Sequence, residues 1–175
     1  NSMDFVFVYQ QNQLEDEIMY PLNVPYLFKQ GAHLIKKGLQ IKPGVDIAFE
    51  SESGIAIVDE GYLEAEGTLS DSIMFRGLEP DPGYWGGLLF TSESPRNKVH
   101  FAHISDASSR VNFSGFERGG IIIGSYASVS IKHTEISNGS QYGIFCFTWA
   151  QFSAFEQNRI RGQGAFPIII NPIQV

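Results

Sequence analysis

From Tyr26 onward, apolar and β-branched residues come in runs of three to five, separated by Gly, Ser, Asn, Asp and Pro, and no helical period develops. Runs of that length between turn formers predict strands joined by tight connections. One series is Ile55-Ala56-Ile57-Val58, Leu88-Leu89-Phe90, Ile121-Ile122-Ile123, Ile144-Phe145-Cys146-Phe147 and Ile168-Ile169-Ile170. Each run follows Gly or Pro (Gly54, Gly87, Gly120, Gly143, Pro167), and their first residues advance by 33, 33, 23 and 24. A second series is Val45–Phe49, Ile73–Phe75, Val99–Phe101, Val129–Ile131 and Ser153–Phe155, whose last residues advance by 26, 26, 30 and 24. Two series advancing together predict one copy of each strand per repeat, stacked in parallel on its equivalents. A sandwich would pair neighbouring runs as hairpins and gives no reason for the same position to follow Gly each time.

The first 25 residues read differently. Phe5-Val6-Phe7-Val8-Tyr9 suits a strand; Leu14, Ile18 and Met19 suit one face of a short capping helix that Pro21 and Pro25 would end. The expected division is therefore an N-terminal extension or cap, residues 1–25, and a coiled β domain, residues 26–175. The start of the chain has neither a basic n-region nor a small-residue cleavage site, so it is not read as a signal peptide.

The blocks Leu39–Phe49, Gly61–Thr68, Ile73–Gly77 and Gly83–Phe90 resemble the right-handed parallel β-helix domains of the pectate-lyase-like superfold, found in bacterial secreted and cell-surface proteins. The resemblance runs from Tyr26 to the end of the chain. It implies an all-β, single-stranded, right-handed parallel β-helix of about six coils, in an extracellular or cell-surface setting. It specifies function far less, because that superfold carries lyases, hydrolases, tailspikes, adhesins and domains with no known activity.

Register follows from the repeat. Ile131-Lys132-His133-Thr134-Glu135-Ile136 aligns with Phe155-Glu156-Gln157-Asn158-Arg159-Ile160 at an offset of 24, which predicts Lys132 beside Glu156, Glu135 beside Arg159, and Thr134 with Asn158 in one turn bonding neighbouring backbone. The lone cysteine, Cys146, falls on the inward face as a small hydrophobe, and a single cysteine excludes an internal disulfide framework. If Ile55, Leu88, Ile121, Ile144 and Ile168 face inward, then Val58, Leu89, Ile122, Phe145, Phe147 and Ile169 face outward as an apolar stripe that needs a cover: the chain's own loops, residues 5–9, a partner, or a second copy. These six are the candidate interface.

Composition narrows the partners. With 12 Lys and Arg against 19 Asp and Glu, the net charge of −7 argues against nucleic acid and anionic membrane surfaces, and no apolar run approaches the ~18 residues of a membrane span. His100 and His103, with Asp106, have a metal-like spacing, but they converge only if the chain turns at Ala102; Glu79 and Asp81 form an acidic loop. No metal or cofactor is expected. Tyr84 and Trp85, in a Gly- and Pro-rich loop, are the candidate sugar-stacking residues.

The enzymes of the resembled superfold carry clustered acids, or calcium with a basic residue. Arg159-Ile160-Arg161 is similar to a basic tripeptide of its hydrolases, but the accompanying Asp-Asp and Gly-His-Gly elements are missing, and the last Asp of the chain is Asp106. No catalytic residue is assigned. The expectation is a non-enzymatic scaffold or interaction module, adhesive or carbohydrate-binding, with a polysaccharide, a protein or a second copy as partner; the alternative is a polysaccharide lyase or glycoside hydrolase.

Overall fold

The structure, a computed structural model, describes residues 4–9, 13, 15–108, 113 and 115–171. In chain order the strands are β1 (Val6–Val8), β2 (Glu17–Met19), β3 (Tyr26–Phe28), β4 (Gly31–Ile35), β5 (Gly38–Ile41), β6 (Asp46–Phe49) and β7 (Ser53–Ile57). Next come β8 (Tyr62–Glu66), β9 (Ile73–Gly77), β10 (Leu88–Phe90), β11 (Lys98–His100), β12 (Ala102–Ser105) and β13 (Gly119–Ile123). The last are β14 (Ser128–Lys132), β15 (Glu135–Ser137), β16 (Tyr142–Cys146), β17 (Gln151–Glu156), β18 (Arg159–Arg161) and β19 (Ile168–Ile170).

They form three all-parallel sheets: A (β1-β3-β6-β9-β12-β15-β18), B (β4-β7-β10-β13-β16-β19) and C (β2-β5-β8-β11-β14-β17). The chain passes from B to C to A once per coil, which makes a right-handed parallel β-helix. The sequence repeat pointed to two strands per coil; the structure has three. The first series gives five of the six strands of sheet B, with Ile55, Leu88, Ile121, Ile144 and Ile168 as successive register partners; the sixth, β4, was not read from the sequence. The second series mixes two sheets: Val45–Phe49 and Ile73–Phe75 lie in or beside A strands, whereas Val99, Val129–Ile131 and Ser153–Phe155 belong to C. Sheets A and C both alternate inward apolar with outward polar residues, so periodicity alone cannot tell A from C.

No capping helix forms among the described residues 15–20. Glu17–Met19 is strand β2, paired with β5, and Leu14 lies outside the described residues. Met19 is buried while Ile18 points outward and is exposed, so the two do not share a face. A helix this short has an unfavourable nucleus, whereas the edge of β5 offers ready hydrogen-bond partners. β1 likewise pairs with β3, so the described residues of segment 1–25 extend the sheets.

The core is built of rows. Ile47, Phe75, Ile104, Ile136 and Ile160 stack along A, and Ile41, Ala65, Val99, Ile131 and Phe155 along C. Cys146 takes its place in a B row with Ile57, Phe90, Ile123 and Ile170, and burial pushes its thiol up to about 12, as an inert core residue requires. Thr134 and Asn158 share a turn as expected: Asn158 Oδ1 accepts from the Thr134 N–H at 3.0 Å, and its Nδ2 donates to the Ile131 carbonyl at 2.9 Å.

Ile121 has buried Leu88 and Ile144 as its register partners on either side. Ile121→Ala should therefore lower stability by about 2–5 kcal/mol, seen as a lower urea midpoint with an unchanged m-value; a loss below about 0.5 kcal/mol would mean that this row is not core.

Candidate functional site

The sequence-predicted residues are placed as follows. Trp85 is fully buried, its ring stacked on Phe49 at 3.9 Å between centroids and 2° between planes, with Phe49 in turn 5.2 Å from Phe28. Its Nε1 donates to the Ser105 carbonyl at 2.6 Å. A ring with both its apolar body and its donor satisfied inside the coil cannot receive a sugar, so Trp85 is corrected from ligand-binding residue to core. Tyr84 is half-buried in the same loop, its N–H donating to the Asp81 carbonyl. The other tryptophan, Trp149, is exposed and runs parallel to exposed Tyr126 of the preceding coil at 6.2 Å.

The outward stripe on sheet B exists, but it is not a free interface. Leu89, Ile122 and Phe145 are buried. Ala56, Leu89 and Ile122 form a second hydrophobic cluster with Phe113, from the connection between β12 and β13, and Val58 and Phe147 pack against it half-buried. Phe116 of the same connection meets Phe147 edge-on at 5.4 Å. The chain's own loop is thus the cover, and residues 5–9 instead bear β1 at the edge of sheet A. Ile169, in the last coil, is half-buried. Glycine allows the fit: a Cβ on Gly54 would lie 2.9 Å from the Phe113 ring.

His100 and His103 end on different sheets because the chain turns at Phe101, with φ of 48°, rather than at Ala102. His100 faces out from C, its Nε2 2.7 Å from the Ser130 hydroxyl, and burial holds its imidazole below the usual range despite nearby Glu66. His103 faces out from A in register with Met74 and Glu135. No group of three or more potential metal ligands converges among the described residues. Glu79 and Asp81 are exposed in their loop.

The outer faces of A and C are charge ladders. Lys132 and Glu156 are register partners with 2.9 Å between Nζ and Oε1. Glu135 is in register with Arg159, but its ion-pair partner is Arg161, two residues on, at 2.6 Å. The same diagonal joins Asp46 to Arg76, which donates from Nε and Nη2 at 2.9 Å each. Arg96 grips Glu64 through two bonds while its guanidinium lies 3.5 Å from the Tyr62 ring centre. Lys98 pairs with Glu66. Arg96 holds the Glu64 carboxyl below its ordinary value, and Lys132 does the same for Glu156.

At the corner where C turns into A, the residues form a groove of about 320 Å³ lined by Leu69, Ser72, Phe101, His103, His133, Thr134, Glu135, Gln157 and Arg159. Phe101, His133 and Gln157 hold the same left-handed turn position in successive coils, with φ of 48°, 50° and 52°. The rings of Phe101 and His133 stack at 4.4 Å and 9°. Beside them stand His103 and Arg159, and Leu69 is 90% exposed at one end. The groove thus combines a stacking face, two imidazoles and a guanidinium. Its one carboxylate, Glu135, is engaged by Arg161. Sequence reasoning missed this site although a signal existed: Phe101, His133 and Gln157 are spaced by 32 and 24, the same offsets as the flanking inward residues Val99, Ile131 and Phe155.

Residues 7–135, well over half of the chain, match the family described as pectate-lyase like beta helix domain. The chain belongs to that family, which agrees with the three parallel sheets described above. No curated protein and no solved structure matches it. No helix among the described residues is long and apolar enough to cross a membrane.

The chain's two tryptophans separate core from surface. In a Trp149→Phe variant, the remaining emission from Trp85 should be blue-shifted, resistant to acrylamide and indifferent to added oligosaccharide; a red-shifted, readily quenched signal would return Trp85 to the surface.

Proposed function

We propose that the domain is a non-catalytic β-helix scaffold of an exported or cell-surface protein, which binds polysaccharide along the groove at the C–A corner. The observation that carries this reading is the composition of the groove. Phe101 and His133 each turn one ring face to the other, so a pyranose meets an outer face or the edges of the pair, while His103 and Arg159 supply donors for its hydroxyl or carboxylate oxygens. The setting outside the cell rests on the family resemblance.

The alternative, a lyase or hydrolase, needs carboxyl groups free to exchange protons, one of them with a raised pKa. The outward carboxylates Asp46, Glu64, Glu66, Glu135 and Glu156 are each tied to a Lys or Arg. Where a shift is resolved, at Glu64 and Glu156, it is downward, which favours a fixed anion over an acid. Those carboxylates serve the register of the coils.

Calorimetric titration with a galacturonate oligomer and with a neutral oligosaccharide of equal length tests the reading. The acidic oligomer should bind more tightly and leave uncleaved. His133→Ala should weaken it about fivefold, the loss of one stacking contact, without moving Tm. Absence of binding by either sugar at millimolar concentration, equal affinity in the variant, or cleavage of the oligomer would overturn it.

A further inference from the structure

The corner where B turns into C carries chemistry that neither the ladders nor the groove uses. Ile123 and Cys146 are register partners, and three residues beyond them Tyr126 and Trp149 hold the same place in successive turns. Each turn closes with a bond from its fourth residue to its first: the Ala127 N–H donates to the Gly124 carbonyl at 3.1 Å, and the Ala150 N–H to the Phe147 carbonyl at 3.0 Å. The aromatic residue is third in each, with φ of 66° and 71°. That position calls for Gly or Asn, because a Cβ crowds the backbone there. A bulky ring is therefore a poor choice for the turn, and neither ring belongs to the core: Tyr126 is 58% and Trp149 49% exposed. Strained backbone kept at two solvent-facing rings points to a use outside the fold.

The exposure belongs to the corner and not to the end of the coil. Tyr126 has a described coil on either side, since β13 lies between β10 and β16 and β14 between β11 and β17, yet it is the more open of the two. The rings run parallel within 1° with centroids 6.2 Å apart, too little overlap to seal each other's faces. Around them the surface is polar but uncharged. Ser125 and Thr148 offer hydroxyls, Gln151 offers an amide, and no residue in 119–131 or 136–155 is Asp, Glu, Lys or Arg. In the coil before, the same corner is the longer connection from β10 to β11, where Glu93 is exposed and Arg96 is held by Glu64.

We propose that this ridge is a second carbohydrate site, one that takes a neutral glycan on the faces of Tyr126 and Trp149. The C–H face of a pyranose is flat and apolar, and its hydroxyls need a few polar groups at the rim, which Ser125, Thr148 and Gln151 supply. The two half-exposed rings present roughly 200 Å², whereas a stable protein interface buries about 800 Å² on each side, so a second copy or another protein finds too little here. An anionic glycan meets no cation in these two turns, in contrast to the groove with its Arg159. Rings fixed by a turn also lose little freedom on binding. Tyr126 precedes β14 and His133 follows it, about 23 Å along at roughly 3.3 Å per residue, so ridge and groove are separate sites.

Trp149 reports the test directly, because Trp85 is buried and gives a constant background. Titration of the 175-residue chain with cellohexaose, a neutral glucose hexamer, should shift the Trp149 emission to the blue, saturably and at millimolar concentration, and a galacturonate hexamer should not. Tyr126→Asn removes one ring but suits the left-handed turn, so it should weaken cellohexaose binding about fivefold, the loss of one stacking contact, without lowering Tm. His133→Ala should leave the emission response unchanged, which keeps failure at the ridge distinct from failure at the groove. An emission unmoved by the neutral hexamer at about 10 mM, an equal response to the galacturonate hexamer, or unchanged affinity in Tyr126→Asn would overturn the proposal. A Tm lowered by several degrees in that variant would do the same by giving the ring to the fold, and a wild-type dimer that the variant dissociates would assign the ridge to a second copy instead.

Discussion

Parallel strands hydrogen-bonded in register place each side chain about 4.8 Å from its equivalents in the coils above and below. In this chain that constraint does most of the structural selection. An inward position is sealed by its own copies; Ile55, Leu88, Ile121 and Ile144 are all fully buried for this reason, and at the start of their row the buried His33 ring is accommodated with its Nε2 2.8 Å from the Lys29 carbonyl. An outward position must tolerate its neighbour's charge. Asp46 with Arg76, Glu66 with Lys98, Lys132 with Glu156 and Glu135 with Arg161 show that demand met by alternating sign from one coil to the next. Each exposed pair contributes no more than about 1 kcal/mol; like charges in the same places would oppose the register.

The same rule bears on function. Carboxylates committed to a ladder are poor acids and bases, so the faces of sheets A and C offer shape and fixed charge more than reactivity. Sheet B breaks the alternation by being apolar on both faces, and the connection carrying Phe113 and Phe116 covers its outer side. At the corner between C and A, where we propose that a ligand binds, the left-handed turn residues Phe101 and His133 hold their rings outside the ladders.

Five of the six strands of sheet B, all but β4 with its His33, were legible in the sequence, since their runs are wholly apolar and follow Gly or Pro each time. Cys146, the Lys132–Glu156 rung and the Thr134–Asn158 turn followed from its spacing. The division between A and C was not legible, because both carry the same alternation and because a single turn residue, Phe101, joins β11 to β12 without the usual turn formers. Glu135 pairs with Arg161 and not Arg159 because a long guanidinium reaches diagonally, which register alone does not encode. Trp85 was misplaced for a similar reason: Gly and Pro around it signal a loop, but the loop tucks its ring inside onto Phe49. The cover over the outer stripe was expected in kind, though not which loop supplied it.

Register is the central claim, and engineered disulfides on the outer face of sheet A test it most directly. Met74 and His103 are register partners on β9 and β12, whereas Met74 and Ser105 are offset by two positions. Cysteines at 74 and 103 should close rapidly under mild oxidation without loss of Tm, their Cα atoms lying within the range of about 4.4–6.8 Å that a disulfide spans. Cysteines at 74 and 105 should stay reduced under the same conditions. Equal closure of both pairs, or preferential closure of 74 with 105, would contradict the stacked register.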